Sequence, residues 1–219
     1  MTAGLPGRTR PGTTLALLGG TGRTGRLLID QALAQGYALR VLARDPERLH
    51  RRDEALTPVT GDARNADDVF RLLEGAEAVL STLGPVRGDG AGVMAQSAQH
   101  LVTVMPGLGL SRLITLTGAG VRRPGDRPKL SDRLIRRALA TLQPDVLRDS
   151  EAHVAAITAS PLEWTVVRAP RLGDGPVKPL RVGMVGDIGP FVSRASVADF
   201  MLRELGEGRW VRQAPAVSH

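Results

Sequence analysis

Short apolar segments alternate with amphipathic segments along the chain, and this alternation predicts an α/β protein. Short apolar runs that end in glycine or turn residues are typical of buried parallel strands, whereas apolar residues at spacings of three and four are typical of helices. Strands that alternate with helices are joined by right-handed crossovers, which place helices on both faces of a parallel sheet. We therefore predict one doubly wound, mostly parallel sheet with helices on both faces.

The predicted elements follow one another from residue 14 onward. The strands span 14–18, 38–43, 57–60, 78–83, 112–117 and 164–169, and a last short strand is predicted near 210–212. The helices span 26–35, 65–74, 91–105, 145–159 and 196–205. Gly36 follows the first helix as a stop signal, and Asn65 is a favourable N-cap for the second. Residues 121–128 and 172–179, which contain proline and glycine, are predicted to be loops.

No linker divides residues 14–219, so we predict that they form one domain that includes the substrate pocket. Residues 1–13 are rich in Gly, Pro, Thr and Arg and lack the apolar stretch of a secretory signal. This composition predicts a short flexible tail.

The composition narrows the classes of partner. The chain has no cysteine, which excludes disulfides, thiolate nucleophiles and Cys-ligated metals and fits a cytoplasmic protein. No apolar run reaches the roughly 20 residues that span a membrane, and the histidines are not grouped at metal-ligand spacing, so neither a membrane nor a metal is predicted. The net charge is +7, but basic and acidic residues are interleaved and only six residues are aromatic (three Phe, two Trp, one Tyr), so nucleic acid is not predicted. We expect a small-molecule substrate and a monomer or small homo-oligomer.

A glycine-rich loop joins the first predicted strand directly to the first helix. It consists of Gly19, Gly20, Thr21, Gly22, Arg23, Thr24 and Gly25. The glycines match both G-x-G-x-x-G, from Gly20, and G-x-x-G-x-x-G, from Gly19. Glycine lets the backbone approach a pyrophosphate closely, and the following helix N-terminus offers N–H groups and the positive end of its dipole. The strand–loop–helix context therefore predicts a dinucleotide site on a Rossmann-like domain.

Two arginines follow the second predicted strand. NAD sites tend to place an acidic residue there for the ribose 2′-hydroxyl, whereas an arginine accommodates the 2′-phosphate of NADP. Arg44 takes this position, and Arg48 is a second donor of the same kind. The sequence therefore predicts a preference for NADP(H) over NAD(H). Two surface arginines, or Asp45 facing the ribose, are the alternatives.

Further candidates follow the other predicted strands. Asp62 either accepts a hydrogen bond from an adenine amino group or caps a turn or helix. Leu83 and Gly84 end the fourth strand, where the backbone either passes close to the cofactor or makes a plain turn. Thr117 ends the fifth strand at the edge where parallel sheets bind ligands, so its hydroxyl either orients nicotinamide or substrate or only ends the strand.

These motifs resemble an atypical short-chain dehydrogenase/reductase family that includes flavin reductase/biliverdin-IXβ reductase and related NAD(P)H-binding, NmrA-like proteins. The resemblance extends from about Leu15 to Arg212. The segments that carry it are the glycine loop, Val41-Leu42-Ala43-Arg44-Asp45-Pro46, Gly61-Asp62, the stretch 162–172 and the stretch 188–205 with Ser193-Arg194.

The resemblance implies a Rossmann-like parallel sheet and hydride transfer from bound NADPH. It also implies contacts along the whole cofactor: Thr21, Arg23 and Thr24 at the pyrophosphate, Arg44 and Arg48 at the 2′-phosphate, Asp62 near adenine, Leu83, Gly84 and Thr117 beside the inner ribose and nicotinamide, and Pro170 and Arg171 at the nicotinamide and substrate end. The flavin/biliverdin reductases have a histidine at the Arg171 position and a serine at the Gly118 position. Their acceptor is therefore not carried over to this chain.

The proton donor of the mainstream superfamily is a Tyr-x-x-x-Lys pair, and this chain lacks it. The single tyrosine, Tyr37, precedes the second strand, and the lysines are Lys129 and Lys178. Ketone reduction by such a pair is therefore not expected. Flavins, quinones and conjugated tetrapyrroles accept hydride with less demand on a protein acid, so they are the favoured acceptors.

The predicted catalytic residues, Thr117 and Arg171, have orienting roles. Arg171 either binds a carboxylate or phosphate of the substrate or pairs with an acid such as Asp174. His153 is either a proton donor or a surface or helix-capping histidine. The leading interpretation is an NADPH-dependent reductase of a small, planar or anionic acceptor. The alternatives are an NADP(H)-binding redox sensor of the NmrA-like kind and a sugar-nucleotide epimerase-like isomerase.

Overall fold

A computed structural model of the protein describes residues 12–85 and 92–219. The predicted flexible tail lies outside the described residues except for Gly12 and Thr13. These two residues lie beside the second strand, because the Gly12 N–H donates to the Gly36 carbonyl at 2.7 Å and Thr13 accepts from the Ala38 N–H at 3.0 Å.

The predicted doubly wound sheet is confirmed. The strands are β1 (Thr14–Leu18), β2 (Ala38–Ala43), β3 (Leu56–Thr60), β4 (Ala78–Ser81), β5 (Arg112–Gly118), β6 (Glu163–Ala169), β7 (Arg171–Gly173), β8 (Arg181–Gly183), β9 (Phe191–Ser193) and β10 (Ala216–Ser218). The main sheet has the order β3-β2-β1-β4-β5-β6-β10-β8, and all its pairs are parallel except β10 with β8. Strands β7 and β9 form a separate parallel pair. The strand order reverses between β1 and β4, which is the position where such sheets bind ligands.

Helices cover both faces of the main sheet, as predicted. They are α1 (Arg23–Ala34), α2 (Ala66–Leu73), α3 (Val93–Gly107), α4 (Leu130–Leu142), α5 (Pro144–Ala159) and α6 (Arg194–Glu207). Successive side chains of a strand point to opposite faces. Leu15 and Leu17 accordingly join the core beneath α1 and α6, whereas Ala16 and Leu18 join the core beneath α2, α3 and α5.

Two of the predicted elements need correction. The strand expected near 210–212 is wrong: these residues form a turn, with Arg212 at a φ of 56°. The reason is that the buried Glu204 carboxylate accepts the Trp210 N–H at 2.7 Å, and the last strand forms only at β10. The predicted loop 172–179 begins inside β7.

Helix α4 was not predicted, and it follows the correctly predicted loop 121–128. None of its residues is buried, and Leu130, Leu134, Ile135 and Leu142 are exposed apolar side chains. Its place beside α5 is therefore set by a few contacts on one side. Across the described part of the chain, no helix combines the length and apolar character that crossing a bilayer requires.

Candidate active site

A cleft of about 640 Å³ runs along the carboxyl ends of the parallel strands. Its walls come from the ends of β1 to β6 and from parts of α3, α4 and α5. The volume is within the range of small-molecule and cofactor sites. Strand order reverses between β1 and β4. After the roles expected from the sequence, we call the part of the cleft over β1 to β3 the nucleotide side and the part over β4 to β6 the acceptor side.

The glycine loop forms the floor of the nucleotide side. Gly19 has a left-handed φ of 82°, and a Cβ there would lie 2.7 Å from the carbonyl carbon of Thr82 at the end of β4. A Cβ at Gly25 would overlap the carbonyl oxygen of Gly19, so only glycine lets α1 pack this closely on the loop. The loop residues that line the cleft are Gly19, Thr21, Gly22, Arg23 and Thr24. Gly20 and Gly25 do not line it and serve the packing around it.

Helix α1 begins directly at this loop, three residues before the predicted start. Its N-cap is Gly22, and no side chain among the described residues caps its first turn. The first N–H groups of a helix have no partner within the helix, and the positive end of its dipole lies there. Backbone N–H groups beside a loop without side-chain bulk fit a pyrophosphate.

Arg44 and Arg48 both line the nucleotide side. They follow β2 and lie at the two ends of the segment that contains a 3-10 turn, Pro46–Arg48. The Asp45 carboxylate accepts the N–H of Glu47 at 3.1 Å and starts this turn, and Asp45 is not among the lining residues. The Asp45 carboxylate is thus engaged in local structure, whereas Arg44 and Arg48 line the cleft.

Asp62 also lines this side, and of its two expected roles the turn-capping one is observed. Its carboxylate accepts from the Arg64 N–H at 2.9 Å and from Arg64 Nη2 at 2.6 Å, which is the predicted turn capping. The hydrogen bond from the Arg64 guanidinium is the largest cause that lowers the pKa of Asp62, and the charge of Arg44 acts in the same direction. Nε of Arg64 also donates to both carboxylate oxygens, at 3.1 Å and 3.3 Å, so Arg64 engages both oxygen atoms of Asp62.

The acceptor side contains the other predicted cofactor residues. Leu83, Gly84, Thr117 and Pro170 all line the cleft there. Thr117 is 5% exposed, and its Oγ1 atom is buried with no hydrogen-bond partner in the described residues. A buried hydroxyl without a partner loses its hydration without compensation. Its position at the cleft therefore fits a group that a bound ligand would contact.

Arg171 is not among the residues that line the cleft, although it was expected at the substrate end. It is an exposed residue of β7, and its backbone N–H donates to the Pro190 carbonyl at 3.2 Å. Arg194, at the start of α6, lines the cleft instead, and its Nη1 donates to Asp174 at 2.7 Å. The alternative pairing of Arg171 with Asp174 is therefore wrong. The Ser193-Arg194 segment was noted in the sequence, but only the docking of α6 brings Arg194 to the cleft.

His153 is neither a surface histidine nor a helix cap, and both of these expectations are wrong. The ring is fully buried in α5 between the Thr115 hydroxyl and the Met94 carbonyl, each at 2.9 Å. Burial lowers the pKa of His153 because it opposes a charged ring. A neutral ring satisfies both contacts when Nδ1 donates to the carbonyl and Nε2 accepts from the hydroxyl. His153 does not line the cleft, but its partner Met94 does.

A buried carboxylate on the same helix holds the start of α3. Asp149 accepts the N–H of Met94 at 3.2 Å and the N–H of Ala95 at 2.8 Å. Helix α3 is thereby capped from α5. The acceptor wall formed by these two helices depends on contacts between residues far apart in the chain.

Ionisable groups that could donate a proton are scarce on this wall. The ionisable lining residues among those described are Arg23, Arg44, Arg48, Asp62 and Arg194. Tyr37 is packed in the core beneath α1, and Lys129 and Lys178 lie outside the lining. Within residues 12–85 and 92–219, no three His, Cys, Asp or Glu side chains come together as a metal-ion site.

Apolar wall residues on α3, α4 and α5 were missed in the sequence. They are Val93, Met94, Leu139, Val146 and Leu147. The apolar residues of α4 recur at helical spacing, so this helix had a readable signal. No sequence signal indicated that α4 contributes to the cleft, because this contribution depends on how α4 and α5 pack.

Comparison with known proteins places this architecture in a family. Residues 19–207 match the family model described as NAD(P)H-binding. The chain belongs to the NAD(P)H-binding family. The match begins at the first glycine of the loop and ends at the last residue of α6, so it includes both sides of the cleft. The family resemblance predicted from the sequence is thereby confirmed.

Solved structures with this fold extend over nearly the whole chain. The oxidoreductase ylbE of Lactococcus lactis superimposes with a TM-score of 0.79 at 16% identity, over 94% of this chain and 91% of that one. ChuY of Escherichia coli, an anaerobilin reductase, has a TM-score of 0.77 at 20% identity, over 94% and 97%. A short-chain dehydrogenase/reductase of Veillonella parvula in complex with NADP has a TM-score of 0.77 at 17% identity, over 94% of each chain. At these identities the likeness shows a shared fold.

Proposed function

We propose that this NAD(P)H-binding protein is an NADPH-dependent reductase that transfers hydride to a small planar or anionic acceptor. The observation that carries the proposal is the continuity of the cleft. One cavity joins the glycine cradle and Arg44 to an apolar space beside the unpartnered hydroxyl of Thr117. A dinucleotide cradle that opens into a second, apolar space suits a cofactor and an acceptor bound together.

Each part of the cleft has a physical task in this reaction. Bound NADPH supplies the hydride. The first N–H groups of α1 bind the pyrophosphate, and Arg44 and Arg48 bind the 2′-phosphate, which sets the preference over NADH. The Thr117 hydroxyl orients the ring or the acceptor by a hydrogen bond at the end of β5. The walls from α3, α4 and α5 exclude water from the acceptor.

The chemistry of the wall selects the class of acceptor. No tyrosine, lysine or histidine is among the described residues that line the cleft. An acceptor that takes its proton from water or holds the charge itself has less need of such a group. Flavins, quinones and conjugated tetrapyrroles meet this requirement, whereas simple ketones do not.

NADPH oxidation with a panel of flavins, quinones and tetrapyrroles tests the proposal. We expect turnover with at least one member of the panel. Thr117→Val should lower kcat about tenfold, the loss of one ligand hydrogen bond, with no loss of stability because this hydroxyl has no protein partner. Thr57→Val, an exposed change on β3, is the matched control. Tight NADPH binding without turnover on the whole panel would contradict the proposal.

A redox sensor is the second candidate, and the same scarcity of proton donors favours it. In that role the bound cofactor form would change which proteins the chain contacts. Affinity purification with NADPH and, separately, with NADP⁺ distinguishes the two functions. Partners that depend on the cofactor form, together with no turnover, would favour the sensor, and an identical partner set would exclude it.

A further inference from the structure

Basic charge is concentrated in one segment of the chain. Residues 122–137 contain seven of the 29 lysines and arginines but only two acidic residues, Asp126 and Asp132. The segment includes the loop after β5 and the first half of α4. This segment has an excess of five positive charges, and the whole chain has a net charge of +7. The segment is therefore the main source of the net charge of the chain.

Four of these arginines gather around one surface depression. Arg122, Arg123, Arg133 and Arg136 line it together with Asp126 and Pro128, and its volume is about 380 Å³. We call this feature the arginine depression. Like charges gathered around one depression repel one another unless anions lie between them.

The acidic groups near the arginine depression already have hydrogen-bond partners within the chain. The Asp126 carboxylate accepts from the fully buried Arg168 at 2.6 Å and 2.9 Å. Asp132 accepts the Lys129 N–H at 2.8 Å at the start of α4. Glu151 accepts from Nη2 of Arg136 at 2.8 Å, and this leaves the other nitrogen atoms of that guanidinium.

Two guanidinium nitrogens at the depression lack partners. Nη1 of Arg122 and Nε of Arg136 are buried from solvent and have no hydrogen-bond partner in the described residues. A buried charged donor without an acceptor is costly, and an oxyanion is the group that guanidinium forks bind best. Both residues line the depression, so a small side-chain movement would bring these donors to an anion bound there.

The arginine depression lies next to the cleft. Val121 lines the cleft and the following residue, Arg122, lines the depression. On α4, Leu139 lines the cleft and Arg136 lines the depression, and residues three apart share a helix face. An acceptor bound in the cleft could therefore extend a charged arm toward these arginines.

We propose that the arginine depression is a binding site for an oxyanion, a carboxylate or phosphate group. The oxyanion lies between Arg122, Arg123, Arg133 and Arg136 and supplies the acceptor atoms that the buried nitrogens lack. Its source is either the charged arm of the acceptor, which rests on the proposed reductase function, or a separate small anion. The binding site itself does not require turnover.

Calorimetric titration with inorganic phosphate tests the site. The protein is first saturated with NADP⁺, so that phosphate does not enter the glycine cradle, and chloride keeps the ionic strength constant. We expect phosphate to bind, and Arg123→Gln combined with Arg133→Gln to weaken it at least about tenfold. Arg137→Gln, an exposed change on the same helix outside the depression, should leave binding unchanged. No binding to the wild type, or equal weakening by the control, would overturn the proposal.

Two acceptors that differ only in a phosphate identify the source of the oxyanion. If the acceptor's arm occupies the site, the double variant should lower kcat/KM about tenfold for FMN and leave it unchanged for riboflavin. If phosphate binding is lost while both kcat/KM values stay unchanged, the site serves a separate anion. Absence of turnover with either flavin bears on the reductase proposal alone, because the phosphate titration measures the site independently.

Discussion

The nucleotide side and the acceptor side of the cleft are built by different kinds of contact. On the nucleotide side, the glycine loop and Arg44 come from short segments that each follow one strand. On the acceptor side, the wall depends on pairs such as Arg168 with the carbonyl of Val121, 47 residues apart, and Asp149 with Ala95, 54 residues apart. The shape of the first side is therefore set by local backbone geometry. The shape of the acceptor side is set by side chains that meet only in the folded protein.

Breaking the buried ion pair should have the largest effect, and it should act on stability. Arg168 is fully buried and its charge is matched by Asp126. Asp126→Asn leaves that charge uncompensated, so the free energy of unfolding should fall by about 3 to 5 kcal/mol. Urea unfolding measures the loss. Affinity for NADPH in the folded protein should change less than about twofold.

An exposed ion pair on α5 provides the control for this variant. Asp145 pairs with Arg148 at 3.1 Å, and both side chains are more than two-thirds exposed. Asp145→Asn should cost at most about 1 kcal/mol. Similar losses in the two variants would contradict a specific role for the buried pair.

A change in the glycine loop should instead act on cofactor binding. A Cβ at Gly25 would overlap the Gly19 carbonyl, so Gly25→Ala must displace the loop from the start of α1. We expect affinity for NADPH to fall about 100-fold, or about 2.7 kcal/mol. Gly206→Ala, in α6 with nothing within 4 Å of the added Cβ, should bind NADPH as the wild type does. Fluorescence titration of both variants checks this, and unchanged binding by Gly25→Ala would refute it.

The arginine beside the nucleotide should affect one cofactor only. Arg44→Gln removes a charge that suits a 2′-phosphate, so NADPH should bind about tenfold more weakly while NADH binds unchanged. Arg52→Gln is the control, because Arg52 is exposed nearby and does not line the cleft. If Arg44→Gln weakens both cofactors equally, or if the wild type binds NADH as tightly as NADPH, the predicted preference is wrong.

The pH dependence of stability should differ between two buried arginine–carboxylate ion pairs. We expect this to be the smallest of the predicted effects. Burial opposes ionisation of Asp126, but hydrogen bonds from Arg168 and from backbone N–H groups outweigh it and lower the pKa below 3.8. Burial raises the pKa of Glu204, the partner of Arg112, above 4.5. The stabilisation from Asp126 is therefore present above pH 3.8 and is lost as the pH falls through the lowered pKa. The pH dependence from Glu204 runs in the opposite direction. Its contribution to stability is present below pH 4.5 and is lost as the pH rises through the raised pKa.

Urea unfolding from about pH 3 to about pH 7 measures both effects. The stability advantage of the wild type over Asp126→Asn should begin to fall at the acid end, below pH 3.8. The wild type should lose stability relative to Glu204→Gln as the pH rises from 4.5. Parallel pH profiles for the wild type and both variants would contradict the assignment.

Sequence patterns located the cleft residues that depend on local structure. Thr21, Arg44 and Asp62 follow strands, and Thr117 lies at the end of one. Parallel strands end at one edge of a sheet, so the pattern placed all four residues at the cleft. Their contacts with a cofactor stay a prediction. Arg194 lines the cleft and Arg171 does not, because this difference depends on how β7 and α6 pack. The spacing of residues in the sequence does not predict that packing.

The sequence by itself determined the strand–helix alternation, the parallel sheet, the family and the glycine loop. These features follow from periodicity and from backbone geometry that a few adjacent residues impose. Only the tertiary structure decided that His153 is a buried ring, that Asp149 caps α3, and that four arginines gather beside the cleft. Those outcomes depend on contacts between distant segments, whose partners become defined only when the helices pack on the sheet.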